Sequence, residues 1–267
     1  TEIGDAPWRP EHRLVHIGLQ GRRVDNADRP ASNLVFLLDV SGSMRSNDKL
    51  PLLKRAFRML VGELDARDRV AIVVYAGHAG VALPPTSGAE KQEILRVVAG
   101  LGAGGSTAGA QGIRAAYDLA HRSFIRGGIN RVILATDGDF NVGISDDGSL
   151  VRMIEKKRES GVFLTVLGFG KGNLQDAKMH KLADKGNGSY HYIDSIYEAK
   201  KVLIDEMGAT LQTIAKDVKI QVEFNPAHVA AYRLVGYETR LLAAEDFADD
   251  KKDAGELGAG HTVTALY

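Results

Sequence analysis

Four runs in this sequence are apolar almost from end to end: Leu34–Val40 (LVFLLDV), Val70–Tyr75 (VAIVVY), Arg131–Thr136 (RVILAT) and Val162–Gly168 (VFLTVLG). A strand with one wet face alternates apolar and polar residues. Unbroken apolar runs of this length predict strands covered on both faces. The segments between them have helical spacing. Leu50, Leu53, Phe57, Leu60 and Leu64 recur at three- and four-residue steps, as do Ala110, Ile113, Tyr117 and Ala120. Leu150–Ser160 predicts a third helix, stopped by Gly161, and Ile196, Ala199, Leu203, Met207, Leu211 and Ile214 predict a long final helix over Ser195–Ile214. Ser189–Ile193 adds a fifth strand, and Gly80–Leu83 a short antiparallel edge. Strands alternating with helices predict an α/β fold, a doubly wound and mostly parallel sheet with helices on both faces.

The two ends read differently. His12–Val24, Asp217–Pro226, Ala231–Arg240 and Thr262–Tyr267 have short-period strand patterns with no helices between them. Isolated strands need a common sheet to be stable. The expected organisation is therefore an N-terminal flank over 1–30, an α/β domain over 31–214, and a C-terminal β segment over 215–267. The two flanks are expected to form a small β-domain together. The run AEDFADDKKDAGE between the C-terminal strands reads as a solvated loop. The sequence starts at Thr1 without an initiator Met and ends on a strand pattern, as in a piece cut from a longer protein.

Lys+Arg and Asp+Glu balance at 34 each among 267 residues, so no global field favours nucleic acid or an anionic membrane. Absence of cysteine excludes disulfides, zinc–thiolate sites and a cysteine nucleophile. No apolar run approaches the roughly 20 residues of a membrane span. Function must then come from a local site.

In open α/β sheets ligands sit outside the carboxyl ends of strands, where neighbouring strands send their connections to opposite faces. Three segments bring oxygen-bearing side chains there: Asp39, Ser41 and Ser43 after the first strand, the glycine-rich GAGGSTAG with Thr107, and Asp137 in LATDGDFNVG. Carboxylates and hydroxyls without His or Cys suit hard cations, Mg²⁺ first, with Mn²⁺ or Ca²⁺ also possible. Two carboxylates and three hydroxyls cannot close an octahedron, which leaves a position for water or an outside carboxylate. Each piece alone has a plainer reading: Asp39 and Ser41 as helix caps, the glycine loop as a weak phosphate cradle, Thr-Asp-Gly as a turn. Asp139, Asn141, Asp146 and Asp147 shape the metal loop or form a second cation site. Gly138, Gly143 and Gly148 favour the former.

Asp39-Val-Ser41-Gly-Ser43, Thr107 and Thr136-Asp137-Gly138 together resemble the metal-ion-dependent adhesion site of von Willebrand factor type A (VWA) domains. The likeness extends from about Asn33 to Ile214. It implies direct metal ligation by Ser41, Ser43 and Thr107, with Asp39 and Asp137 acting through waters. It further implies a protein partner that offers an Asp or Glu, with neither nucleic acid nor membrane insertion by this chain. The flanks are similar to those of bacterial VWA proteins that are extracytoplasmic, periplasmic or membrane-anchored, with a lipid anchor ahead of Thr1. A non-enzymatic, cation-dependent adhesion module is the expectation. Its alternatives are a Mg²⁺-dependent phosphoryl hydrolase with Asp39 as nucleophile, and a scaffold whose metal is purely structural. The hydrolase lacks the second carboxylate it needs, because Ser41 stands there.

Overall fold

The computed structural model describes residues 1–22, 29–106, 109–138, 147–171, 174–205, 213–236, 241–248 and 255–267. In chain order, β1 (Glu2–Ala6) and β2 (Arg9–Gln20) form a hairpin. Then follow β3 (Ser32–Asp39), a 3₁₀ turn (Gly42–Arg45), α1 (Leu50–Glu63), β4 (Arg69–Tyr75), β5 (Ala79–Ser87), α2 (Lys91–Gly100) and α3 (Gly109–Arg122). β6 (Ile129–Thr136), α4 (Asp147–Arg158), β7 (Phe163–Phe169), α5 (Asp176–Lys185), β8 (Tyr190–Ile193) and α6 (Ile196–Lys200) complete the α/β unit. The chain ends with β9 (Thr213–Val218), β10 (Gly255–Gly258) and β11 (Thr262–Leu266).

The central sheet has the order β5-β4-β3-β6-β7-β8, parallel throughout except for the antiparallel edge β5. Side chains of β3 alternate between two cores. Leu34, Phe36 and Leu38 face the layer of α1, α2 and α6, where Phe36 meets Phe57 edge-on with ring centroids 4.3 Å apart. Val35 and Leu37 face the layer of α3, α4 and α5. All five are at most 1% exposed, so each contributes roughly 1.5–3 kcal/mol of burial free energy. This double coverage is the reason β3 has no polar face. β3 sends its connection to one layer, through α1, and β6 sends its connection to the other, through α4. The crevice at their carboxyl ends is therefore the switch point of the sheet.

The termini build separate antiparallel sheets. β2 pairs with β1 on one side and β11 on the other, and β9 pairs with β10. Phe224, Tyr232 and Tyr267 cluster beside them, with ring centroids 4.5–6.4 Å apart.

Several expectations need correction. The helical pattern does not reach Ile214: α6 passes into a π-helical turn over Lys201–Asp205, and Ile214 belongs to strand β9. Ile214 stands three residues after Leu211 in the sequence, so the helical spacing did not mark the change of element. Met207 and Leu211 lie outside the described residues. The antiparallel edge runs over nine residues, well beyond Gly80–Leu83. β9 takes only the first two residues of Asp217–Pro226, and 219–225 form no regular element. Residues 231–236 contribute only the bridge Val235–Leu266 instead of a strand. Helices α2 and α5 and strand β1 were not anticipated. Gly161 ends α4 as expected, with φ +82° and its N–H on the Arg158 carbonyl.

Candidate metal centre

Asp39 is the last residue of β3, fully buried and held at both oxygens. Oδ1 accepts from the Ser41 N–H at 2.9 Å, while Oδ2 accepts from the Tyr75 hydroxyl and the Thr136 hydroxyl, each at 3.1 Å. Parallel pairing puts Tyr75 directly opposite Asp39 across β3–β4. Thr136 ends β6, on the other side of β3. Capping of the Ser41 N–H thus accompanies two bonds from neighbouring strands that fix the carboxylate plane. Burial pushes the Asp39 carboxyl above its ordinary range. Hydrogen bonds from Ser41 oppose the rise, and the Asp137 charge adds to it. Burial and the Asp39 charge also raise the Tyr75 phenol well above its normal value, so it remains a donor.

The backbone turns sharply after Val40, and Ser41 and Ser43 face each other with their Oγ atoms 2.9 Å apart. Two backbone bonds stitch this loop to the glycine-rich segment: Gly104 N–H to the Val40 carbonyl at 2.8 Å, and Gly42 N–H to the Gly105 carbonyl at 3.1 Å. That segment leads to Thr107, which itself lies outside the described residues. Asp139, Asn141 and Asp146 also lie outside them.

Asp137 follows β6 and is fully buried. Its Oδ2 accepts from Lys49 Nζ at 2.8 Å, and the same ammonium donates to the Ser43 carbonyl at 3.1 Å. Lys49 immediately precedes α1 and reaches back into the crevice over Gly170. A Cβ at that glycine would lie 2.2 Å from Lys49 Cε, and its φ of +80° is itself a glycine conformation. A cation of the protein thus reaches both serine loop and carboxylate.

The pieces gathered here belong to one known pattern. The family model described as "von Willebrand factor type A domain" matches residues 33–205, well over half of the chain. The chain belongs to the von Willebrand factor type A family. A second model, "Uncharacterized protein YfbK, C-terminal", matches 209–267, so the segment after the VWA domain is itself a recurrent unit. The Escherichia coli (strain K12) protein described as "Uncharacterized protein YfbK" is 50% identical over 266 residues, which cover all of this chain. The chain spans 46% of that protein's length. Among solved structures, a von Willebrand factor type A protein from Catenulispora acidiphila superposes with a TM-score of 0.61 at 16% identity, over 95% of this chain and 64% of that one. Proximal thread matrix protein 1 from the mussel byssus, in the form with a zinc-occupied MIDAS motif, gives 0.53 at 21% identity, over 71% of this chain and 46% of that one.

Metal-ion-dependent adhesion sites of VWA domains take divalent cations, and the donors of this VWA domain fit one: two carboxylates and two facing hydroxyls, with neither imidazole nor thiolate. No group of three or more His, Cys, Asp or Glu able to hold a metal occurs among the described residues, so this hydroxyl-rich set is the candidate. The model brings together Asp39, Ser41, Ser43 and Asp137 of the five expected residues. Sequence reasoning missed Tyr75 and Lys49 as parts of the site, and it placed Thr136 in the motif without assigning its bond to Asp39. Tyr75 and Thr136 were findable, since each terminates an apolar run beside β3. Nothing in the local pattern marks Lys49, which reads as a solvated residue before a helix.

Proposed function

We propose that this VWA domain is a non-enzymatic, divalent-cation-dependent protein-binding module. In this reading Asp39, Ser41, Ser43, Thr107 and Asp137 hold the ion, with Mg²⁺ the preferred occupant. The observation that carries it is the convergence of Asp39, Ser41, Ser43 and Asp137 at the switch point as an oxygen-only set. Bound there, the cation supplies Lewis acidity toward a carboxylate of a protein partner. The residues themselves do the rest. Tyr75, Thr136 and the Ser41 N–H orient Asp39 before anything binds. The serines hold without adding negative charge, which preserves the attraction toward an outside Asp or Glu. Burial keeps bulk water from competing for the two carboxylates. A phosphoryl hydrolase has less support, because both Asp39 oxygens are engaged by donors instead of being free for attack.

No described helix is long and apolar enough to cross a membrane. The resemblance of the flanks to those of bacterial VWA proteins supports an extracytoplasmic setting.

Isothermal titration with Mn²⁺ and Mg²⁺ tests the reading. One saturable site is expected in the native chain. In Asp39→Ala its loss should accompany an unchanged far-UV spectrum. Equal metal binding by that variant contradicts the assignment, and Asp39-dependent turnover of p-nitrophenyl phosphate contradicts the non-enzymatic reading.

A further inference from the structure

After the Ser43 turn, α1 carries a row of positive charge that the fold uses only in part. Asn47, in the short loop between the Ser43 turn and α1, lines a groove of about 510 Å³ with Pro51, Lys54, Arg55 and Arg58. Positions 51, 54, 55 and 58 share one helix face, since they are three, four and seven residues apart. Lys54 is engaged internally, its Nζ donating to the carbonyls of Ala99 and Leu101 at the end of α2. Arg55 and Arg58 are exposed, and among the described residues neither guanidinium has a carboxylate partner. Among the described residues no acidic side chain lines the groove.

This arrangement is electrostatically unfavourable for the isolated helix. Lys54–Arg58 and Arg55–Arg58 are like-charge pairs at i,i+4 and i,i+3, which destabilise a helix. No acid of α1 stands at a compensating position, because the helix contains only Glu63. An external anion would relieve the repulsion, and guanidinium forks suit carboxylates. The row starts at the loop next to Ser43 and runs about 10 Å along α1, from Pro51 to Arg58. An extended peptide covers that distance in about three residues.

We infer that the partner is an acidic peptide segment: one carboxylate reaches the metal centre, and further acids of the same segment lie along Arg55 and Arg58. This deepens the binding reading above and rests on it for the first carboxylate. Charge complementarity identifies the occupant, and continuity with a carboxylate-seeking centre favours an acidic peptide over a nucleic acid.

Fluorescence anisotropy with two labelled, C-terminally amidated peptides separates the claims. Hexaglutamate offers several acids, and Gly-Gly-Glu-Gly-Gly-Gly offers one. With Mg²⁺ the native chain should bind hexaglutamate about tenfold more tightly. In the Arg55→Glu/Arg58→Glu double variant that ratio should fall to near one, with an unchanged thermal midpoint as the check on folding. A ratio that survives the charge reversal overturns the groove. A ratio that depends on the arginines and also persists in EDTA supports the groove and contradicts the metal-dependent reading. Tighter binding of a dT₁₂ oligonucleotide than of hexaglutamate overturns the peptide as occupant.

Discussion

Lys49 places an ammonium 2.8 Å from a carboxylate that is expected to serve a divalent ion. Burial is the main cause that raises the Asp39 carboxyl, and the charge of Asp137 in the same crevice adds to it, since two buried carboxylates repel. The Lys49 charge offsets part of that repulsion before any cation arrives. It also lowers the gain available to a cation that does arrive. Lys49→Met keeps the aliphatic stem over Gly170 and removes the charge. The metal-free variant should be about 3–5 kcal/mol less stable in urea titration, as expected when one partner of a buried pair is removed. Its Mn²⁺ affinity should rise about tenfold, because the ion then supplies the missing neutralisation. Unchanged affinity would show that Lys49 is a structural ion pair without influence on the site. The acids of the centre were legible in the sequence because strand ends are identifiable from apolar runs. Lys49 was not, because its role comes from a side chain that folds back across a turn, and spacing does not encode that path.

At the scale of elements, β8 tests how the terminal unit is joined to the domain. His191 of β8 is half-buried, with Nε2 2.7 Å from Ser189 Oγ. Burial is the main cause that lowers its pKa from 6.5 to about 4, assisted by the positive charges of His261, Lys201, Arg131 and His180. His261 comes from the turn between β10 and β11, so the terminal strands contribute to this environment. A depressed histidine favours the fold above its unfolded pKa, and that stability is lost as pH falls from 6.5 toward 4. Between pH 7 and pH 5 the native chain should lose about 2 kcal/mol more unfolding free energy in urea than His191→Gln does. Equal losses in the two chains would rule out His191 as the source. The element pattern also shows where the sequence was sufficient. Unbroken apolar runs marked the central strands, since double burial leaves no room for polar residues. Helices α2 and α5 were missed because each buries a narrow stripe, Ile94 and Val98 in one, Met179, Leu182 and Ala183 in the other. The last helix was overextended because α6, the π turn and β9 share an unbroken scatter of apolar residues.

Across the whole molecule, two kinds of sheet are joined in one chain. The parallel sheet carries two full cores, whereas among the described residues the terminal segments bury few apolar side chains: Ala6, Ala259 and Ala265. Ile3 and Trp8 on the β1–β2 hairpin are 70% and 58% exposed. The terminal sheets therefore derive more of their order from ladder hydrogen bonds and the Phe224–Tyr232–Tyr267 cluster than from a core. The VWA domain, with its switch-point crevice, is the part from which function can be argued. The proposed binding depends on one physical property, an ion held by the protein with a coordination position left open to an outside carboxylate. Water-proton relaxation of the Mn²⁺-loaded chain reads this property directly, because only exchangeable waters on the ion enhance it. The account predicts an enhancement well above free Mn²⁺, reduced when the Gly-Gly-Glu-Gly-Gly-Gly peptide is added and unaffected by its glutamine counterpart. An enhancement that neither peptide changes would mean a closed or purely structural ion, and would contradict the account.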